Sequence, residues 1–295
     1  MAASFASNKC NSGNVAKSQT PRSIRTCLPT LDFEVDTKYC ARKMLITLGG
    51  NLNECPLNLL PRLQHLRARV TKEADGGLDL FNGKIALSVN PTVRRHQYAQ
   101  MTQAFKTLAR CPDFQKWINE TRASVGLLKD EWTKHAPLYA QTFSSITKLD
   151  LSGMNYKVKV LHPALPAGAS VNEGDIIEWR YVGEHFPEYL RFNVHTSYFM
   201  HFNATFLLHE VLHHKNLLGV SHNHAIIQLA TDNEMRKRLA HLDYPPFEGH
   251  KCDIPVMAKI YDEWQDFLKG KNGTTILDFA KRVERTMTSA PPGKL

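Results

Sequence analysis

The sequence predicts an α+β fold, and three observations along the chain support this prediction. Apolar residues recur at helical spacing from Pro91 onward, most clearly between Pro112 and Trp132. Tyr156 to Val160 then alternates apolar and polar residues, and Ile176 to Val182 and Leu190 to His195 are further strand candidates. Helical spacing returns after these segments. Helices, a small sheet and helices again are typical of an α+β domain.

Four helices are predicted after the strands. The first runs from about Tyr198 to Leu217 and ends at Gly219, a residue type that favours helix C-termini. The second is stopped by two consecutive prolines. The last three helices span about His224 to Leu242, Val256 to Leu268 and Thr274 to Met287.

The region before Pro91 shows a less regular pattern. From Asp32 to about Gly83 no clear period is present, apart from a short amphipathic helix at Leu57 to Arg69 that Pro61 is expected to interrupt. In the next helical stretch, the aromatic and aliphatic residues between Pro112 and Trp132 are expected to form core contacts.

Length, composition and charge narrow the class of protein. The chain has 295 residues, 42% of them hydrophobic, enough for one large domain with a sizeable core. No apolar run approaches the ~18 residues that a membrane span needs. The net charge of +9 comes from basic residues scattered along the chain. Because they form no basic helix and the sequence has no zinc-finger spacing, nucleic-acid binding is disfavoured.

The six cysteines predict neither disulfides nor a cysteine-ligated metal. No CxxC pair occurs, and five of the six cysteines lie in the first 111 residues. This pattern favours reduced thiols.

The chain is divided here into three portions. Residues 1–30 are polar and carry no acidic side chain, which favours a disordered leader; such a leader is compatible with a bacterial type III export signal, an organellar transit segment or a plain tail. Residues 31–150 are expected to be mainly helical. Residues 151–290 are expected to carry the chemistry, because the informative motif lies there.

That motif is His209-Glu210-Val211-Leu212-His213. His209 and His213 are four residues apart, so on a helix their imidazoles project from one face and can bind one zinc ion. The carboxylate of Glu210 would lie beside the metal, where it can take a proton from a zinc-bound water. The sequence therefore predicts a zincin-like metallopeptidase domain with this motif on its active-site helix, Zn²⁺ as cofactor and Glu210 as the catalytic base.

The residues next to the motif limit its type. His214 is turned by ~140° from His209 on a helix and is not expected to share the metal with it. The longer form HExxHxxGxxH would need Gly at 216 and His at 219. The sequence has Asn216 and Gly219, which excludes that form.

A third protein ligand is required, and several residues are candidates. Asp232 is favoured because it shares a helical face with the apolar residues Leu229, Met235 and Leu239. Glu234 lies near the opposite side of that helix but remains open as an alternative. His222 and His224, which follow a predicted turn, are also open.

Further residues could support the site from outside the metal. Arg236, four residues after Asp232, is placed to orient that carboxylate. An oxyanion-stabilising donor is also needed, and Tyr244, Tyr261, His222 and His224 are candidates by residue type alone.

Two segments together resemble a known family, the NleD-like zinc metallopeptidases of the HopH and XopG type. The matching residues are His209, Glu210, His213 and Gly219 in LLHEVLHHKNLLG, and Asp232-Asn233-Glu234-Met235-Arg236 about a dozen residues later. The resemblance covers about a third of the chain, from Tyr156 to Tyr244. It departs from the family pattern after the second segment, where Ala240-His241-Leu242 stands in place of a Gly-Leu-Pro turn.

The resemblance implies a zinc endopeptidase that bacterial pathogens deliver into host cells by type III secretion. It implies a host signalling protein as substrate, such as a kinase, and a location in the host cytoplasm; organellar import is the alternative location. The alternative function is an inactive or non-peptidase zinc-binding effector that serves as a binding module for a host protein.

Overall fold

A computed structural model describes residues 27–52, 55, 59–162, 165, 176–180, 199–240, 246–270 and 275–289. The described chain is mainly helical with one small sheet, as the α+β prediction requires. None of the helices in these ranges is long and apolar enough to span a membrane.

Four helices form the N-terminal portion, and their ends are set by local sequence signals. Asp36 and Asn90 cap two of them by accepting hydrogen bonds from backbone N–H groups of the first turn. The helix predicted around Leu57 to Arg69 is longer than expected, and Pro61 begins it instead of interrupting it, because proline fits the first turn of a helix. The four helices are α1 (Thr37–Gly49), α2 (Leu60–Ala74), α3 (Gly77–Phe81) and α4 (Pro91–Ala109).

Helix α5 (Pro112–Thr147) is the longest element and contains Pro137 within it. The helical pattern seen in the sequence covered only its first half. The predicted core residues of that half include Phe114, Trp117 and Leu128, and each is at most 1% exposed.

The sheet has three described strands, all parallel, in the order β1 (Thr30–Glu34), β2 (Asn155–Leu161), β3 (Ile176–Arg180). Val158 of β2 lies opposite Phe33 and Ile177. The strands predicted at β2 and β3 are confirmed. Strand β1 was missed, and the candidate at Leu190 to His195 lies outside the described residues.

The C-terminal portion begins with α6 (Phe199–His213), which continues into a short 3₁₀ turn at His214–Asn216. The chain reverses where Asn216 and Gly219 both have positive φ angles, 51° and 65°. The prediction of one regular helix from His224 to Leu242 is wrong. The chain there forms α7 (Asn223–Ile227), a π-helical segment (Gln228–Met235) and α8 (Arg236–Ala240).

Two more helices, α9 (Ile254–Leu268) and α10 (Ile276–Ser289), close the C-terminal portion as predicted. The buried side chains form two clusters. One joins α1 to α4 with the first half of α5, and the other joins the sheet, the second half of α5 and the helices from α6 to α10. The cysteines in the described ranges, Cys27, Cys40, Cys55, Cys111 and Cys252, are free thiols.

A buried polar cluster connects α5 to α6. Asn203 on α6 donates from Nδ2 to Glu131 Oε2 at 3.4 Å and accepts a hydrogen bond from Trp179 Nε1 at 2.9 Å. The hydroxyl of Tyr139 donates to Glu131 Oε1 at 3.5 Å. Burial raises the pKa of Glu131 from 4.5 to about 8, more than these hydrogen bonds lower it. The carboxyl of Glu131 is therefore neutral in the folded protein near pH 7.

This pKa predicts a pH dependence of stability. At pH values between the ordinary pKa of Glu131 and its pKa in the folded protein, the folded protein holds a proton that the unfolded chain has lost. The free energy of unfolding therefore falls as the pH rises through this range. We expect Glu131→Gln, which mimics the neutral acid, to be more stable than the parent at about pH 8 by up to about 4 kcal/mol. Thermal melts at about pH 5 and about pH 8 measure the difference.

Asp130→Asn is the matched control, because Asp130 is an exposed acid one residue earlier on α5. It should leave the pH dependence as in the parent. An unchanged pH dependence in Glu131→Gln would show that Glu131 ionises normally in the folded state.

Candidate metal centre

Helix α6 presents His209 and His213 side by side. Their ring centroids lie 4.8 Å apart, one helical turn from each other on the same face. Leu208, Val211 and Leu212 are fully buried on the other faces of the helix, which fixes its rotation against the core. The apolar residues around the motif therefore determine where the two imidazoles point.

His224, at the start of α7, completes a cluster of three imidazoles. Its ring centroid lies 5.4 Å from that of His209 and 4.6 Å from that of His213. One nitrogen from each of the three rings lies within 4.8 Å of the others. Among the described histidines, cysteines and carboxylates, this is the group that could hold a metal ion.

Asp232, the residue favoured from sequence as third ligand, lies behind His209 and is not a member of this group. Its Oδ2 is 3.2 Å from Nδ1 of His209, and the hydroxyl of Thr231 is also 3.2 Å from that nitrogen. With Nδ1 occupied in this way, Nε2 is the nitrogen of His209 that remains for a ligand. A carboxylate on the far ring nitrogen is the usual arrangement behind a metal-binding histidine.

The π-helical segment brings Thr231 and Asp232 to that position. The Thr231 hydroxyl donates to the carbonyl of Ile227 at 2.9 Å, and the side chain of Asn233 donates to the carbonyls of Gln228 and Glu248, each at 2.9 Å. Wide turns of this kind occur often at functional sites. Thr231, Asp232 and Asn233 are all buried although they are consecutive, because the segment is enclosed by its neighbours on every side: all of residues 228–233 are buried.

Arg236 holds the carboxylate of Asp232 from the other side. Its Nη2 lies 3.6 Å from Asp232 Oδ1, and its Nη1 donates to Glu248 Oε1 at 2.7 Å. The guanidinium also stacks over the rings of Phe202 and Phe206 on α6, at 5.3 and 4.8 Å from their centroids. These contacts attach the π-helical segment to the helix that bears the motif.

His224 has a carboxylate partner of its own, which sequence reasoning missed. Asp253 Oδ2 lies 2.9 Å from its Nδ1, and Gln228 Nε2 lies 3.2 Å from its Nε2. The ring of His250 is 4.8 Å from the ring of His224. A metal ion bound through Nε2 of His224 would replace the contact with Gln228. Asp253 lies at the start of α9 and His250 in the turn before it. Their distance from the motif along the chain does not indicate that they belong to the site.

The electrostatic environment keeps two of the three rings neutral. Burial, together with the neighbouring His209 and His224, lowers the pKa of His213 to about 3. Burial also lowers the pKa of His224, as does the charge of His209. For His209 burial acts in the same direction, but the carboxylates of Asp232 and Glu210 raise its pKa above the ordinary value. Neutral imidazole is the form that binds metal, so the lowered pKa values of His213 and His224 favour metal binding, whereas the raised pKa of His209 opposes it.

Asp232 itself stays ionised. Burial would raise its pKa, but His209 and Arg236 outweigh burial and hold it below the ordinary value. A fixed negative charge therefore lies directly behind the imidazole of His209.

Glu210 is half-buried on α6, one residue further round the helix than His209. It follows His209 directly in the chain, and its negative charge contributes to the raised pKa of that ring. A carboxylate there can accept a proton from a water molecule held by the three rings.

The other sequence candidates lie elsewhere. Glu234 pairs with Arg238 at 2.7 Å, on the side of α5. His214 is buried with its ring against Tyr156 of the sheet. Tyr261 packs its ring on Phe247. His222, half-buried, precedes α7, and Tyr244 lies outside the described residues.

The donor set fits a zinc ion. Three imidazole nitrogens with carboxylates behind two of the rings match the ligand types and outer partners of catalytic zinc sites. Ligands of a tetrahedral zinc are about 3.3 Å apart, given bonds of ~2.0–2.1 Å. The three ring nitrogens lie within 4.8 Å of one another, so a small inward rotation of the rings would bring them to this spacing.

Comparisons with protein families, with curated proteins and with solved structures found no match to this chain.

Proposed function

We propose that the protein is a zinc-dependent hydrolase with a zincin-like active-site helix, and that its substrates are peptide bonds. The convergence of His209, His213 and His224 carries the proposal, because three imidazole nitrogens and an adjacent glutamate leave one position for water and one base to activate it. In this proposal His224 is the third ligand and Asp232 orients His209.

Each residue of the site has a defined role. His209, His213 and His224 would hold the ion, which when bound supplies a Lewis acid and lowers the pKa of a water molecule toward ~7. Glu210 would serve as general base toward a water molecule at the site and as general acid toward the leaving amine. Asp232 and Asp253 fix the ring orientation of His209 and His224 through their Nδ1 atoms. His250 lies next to His224, where its ring can donate to the oxygen that develops negative charge.

The choice of peptides as substrates and the role as a type III effector rest on the resemblance of the two sequence segments to the NleD-like metallopeptidases. On that basis we propose a host signalling protein as substrate and the host cytoplasm as the place of action.

The ligand set predicts the metal content of variants. We expect about one zinc ion per chain in the purified protein, and loss of that zinc in His213→Ala and in His224→Ala, because each removes one of three ligands. Elemental analysis of dialysed protein measures the content.

His222→Ala and Glu234→Gln are the matched controls, since both residues were open as third ligands from sequence but lie outside the imidazole group. Both should keep their zinc. Zinc retained in His224→Ala but lost in either control would exclude His224 as the ligand.

The role of Glu210 predicts a different behaviour. Glu210→Gln should bind zinc as the parent does, because its side chain is not a ligand, and should lose ~10²–10⁴-fold of hydrolytic activity, because the base is absent. Mapping of new protein termini in host-cell extract, with parent and Glu210→Gln side by side, measures the activity and identifies the substrate. New termini that are identical in number for the two proteins would contradict a catalytic role of Glu210.

The positions of Asp232 and Asp253 predict a graded loss of metal affinity. We expect Asp232→Asn and Asp253→Asn each to weaken zinc binding by ~10–100-fold, the usual effect of removing a carboxylate behind a metal-binding histidine. A competitive chelator titration gives the affinities, with the exposed Asp262→Asn on α9 as control. Complete loss of zinc in Asp232→Asn, with a normal affinity in Asp253→Asn, would instead make Asp232 a direct ligand.

A further inference from the structure

A second surface of interest lies between α3 and α4, in the N-terminal cluster of helices. Ile85, Leu87 and Val89 alternate with Ala86 and Ser88 there, the spacing that places side chains on one face of an extended chain. The chain runs without a bend through residues 86–88 and bends at Ile85 and Val89. The three apolar side chains are 45%, 45% and 89% exposed, which is unusual for three aliphatic residues in a row of this kind. We call residues 85–89 the edge segment.

One side of the edge segment is already paired, by a side chain that imitates a neighbouring strand. The buried carboxamide of Gln97 on α4 donates from Nε2 to the carbonyl of Ala86 at 3.0 Å and accepts from the N–H of Ser88 at 2.7 Å. These two groups flank Leu87. An amide that bonds the carbonyl before a residue and the N–H after it takes the same positions as the backbone of an adjacent strand.

The opposite side of the edge segment therefore carries the N–H and C=O of Leu87. In an extended chain the backbone groups of successive residues point alternately to the two sides. Within the part of the chain that the structure describes, no hydrogen bond engages the backbone of Leu87. A donor and an acceptor on one residue, next to exposed alternate side chains, form the edge to which a further strand can be added.

The charge around the edge segment selects the partner. Arg94 and Arg95 near the start of α4 lie next to the edge segment, and Nε of Arg94 donates to the carbonyl of Ser88 at 2.7 Å. The acid beside the segment, Asp79, is paired with Lys84 at 3.8 Å, so the two arginines leave the surface basic. Exposed Val93 and Tyr98 on α4, 47% and 50% accessible, extend the apolar surface beside these cations. A partner chain with alternating apolar and acidic residues would match both the apolar face and the charge.

We propose that the edge segment binds an extended segment of another protein by strand addition, and that this segment alternates apolar and acidic residues. The surface lies on helices that contribute nothing to the imidazole cluster, so the proposal is independent of the metal centre. A second copy of this chain is disfavoured, because it would bring two sets of the same basic side chains together.

The test uses the full chain labelled with ¹⁵N and a capped synthetic peptide of about eight residues that alternates valine and glutamate. We expect this peptide to shift the amide signals of Leu87 and its neighbours. We expect a peptide that alternates valine and lysine to bind at least about tenfold more weakly, since its charge matches that of the surface.

Three variants separate strand addition from simple contact. Leu87→Pro removes the N–H and should weaken binding about tenfold, whereas Leu87→Ala keeps the N–H and should retain more of it. Arg95→Glu should weaken binding of the glutamate peptide, and the control Lys129→Glu, an equal change of charge at an exposed position of α5, should not. Circular dichroism checks that the variants are folded.

Several results would overturn the proposal. These are the absence of any shift at Leu87 with the glutamate peptide at about millimolar concentration, or equal affinity in Leu87→Pro and the parent. Binding of anionic vesicles or of a single-stranded oligonucleotide at the same amides, unaffected by Leu87→Pro, would show a purely electrostatic surface and equally exclude strand addition.

Discussion

The arrangement of the whole site depends on one buried charge, the carboxylate of Asp232. An ionised carboxylate removed from water costs several kcal/mol unless cations and donors surround it. Here His209 and Arg236 supply the positive charge and Thr231 a hydroxyl. Since His209 belongs to α6, whereas Asp232 lies in the π-helical segment and Arg236 begins α8, satisfying the carboxylate requires these elements to pack in one relative position. A metal ion on His209 would take over from the proton as the counter-charge.

Much of this centre could be predicted from the sequence. The four-residue spacing of His209 and His213 on an apolar helix determined their common face, and the apolar residues beside Asp232 correctly indicated that this carboxylate is buried. The predicted contact partner Arg236 is in place, although Asp232 was expected to face the metal and not the far nitrogen of His209. That difference arises because the predicted face of Asp232 holds only for a regular helix of 3.6 residues per turn. The π-helical turn between Gln228 and Met235 changes which side chains share a face.

Other features depend on contacts between distant parts of the chain. His224 lies beside His213 because of a reversal with two residues at positive φ, and Asp253 and His250 arrive from the far end of the turn that precedes α9. Strand β1 is five residues long, and its partner β2 lies more than a hundred residues later. Parallel strands are not joined by a hairpin turn, which in an antiparallel pair indicates the pairing in the sequence. The local residue pattern was therefore insufficient to predict β1.

Helix α5 links the two halves of the molecule, which has a consequence for how the protein can be divided. Phe114 and Trp117 at its start belong to the core of the N-terminal helices, whereas Tyr139 and Phe143 near its end belong to the core beneath the imidazoles. A fragment that begins after α5 would lose those two aromatic rings together with strand β1. Part of the hydrophobic core beneath the histidines is therefore supplied by residues upstream of them in the chain. The portion that bears the histidines would not keep this core if it were separated from α5 and β1.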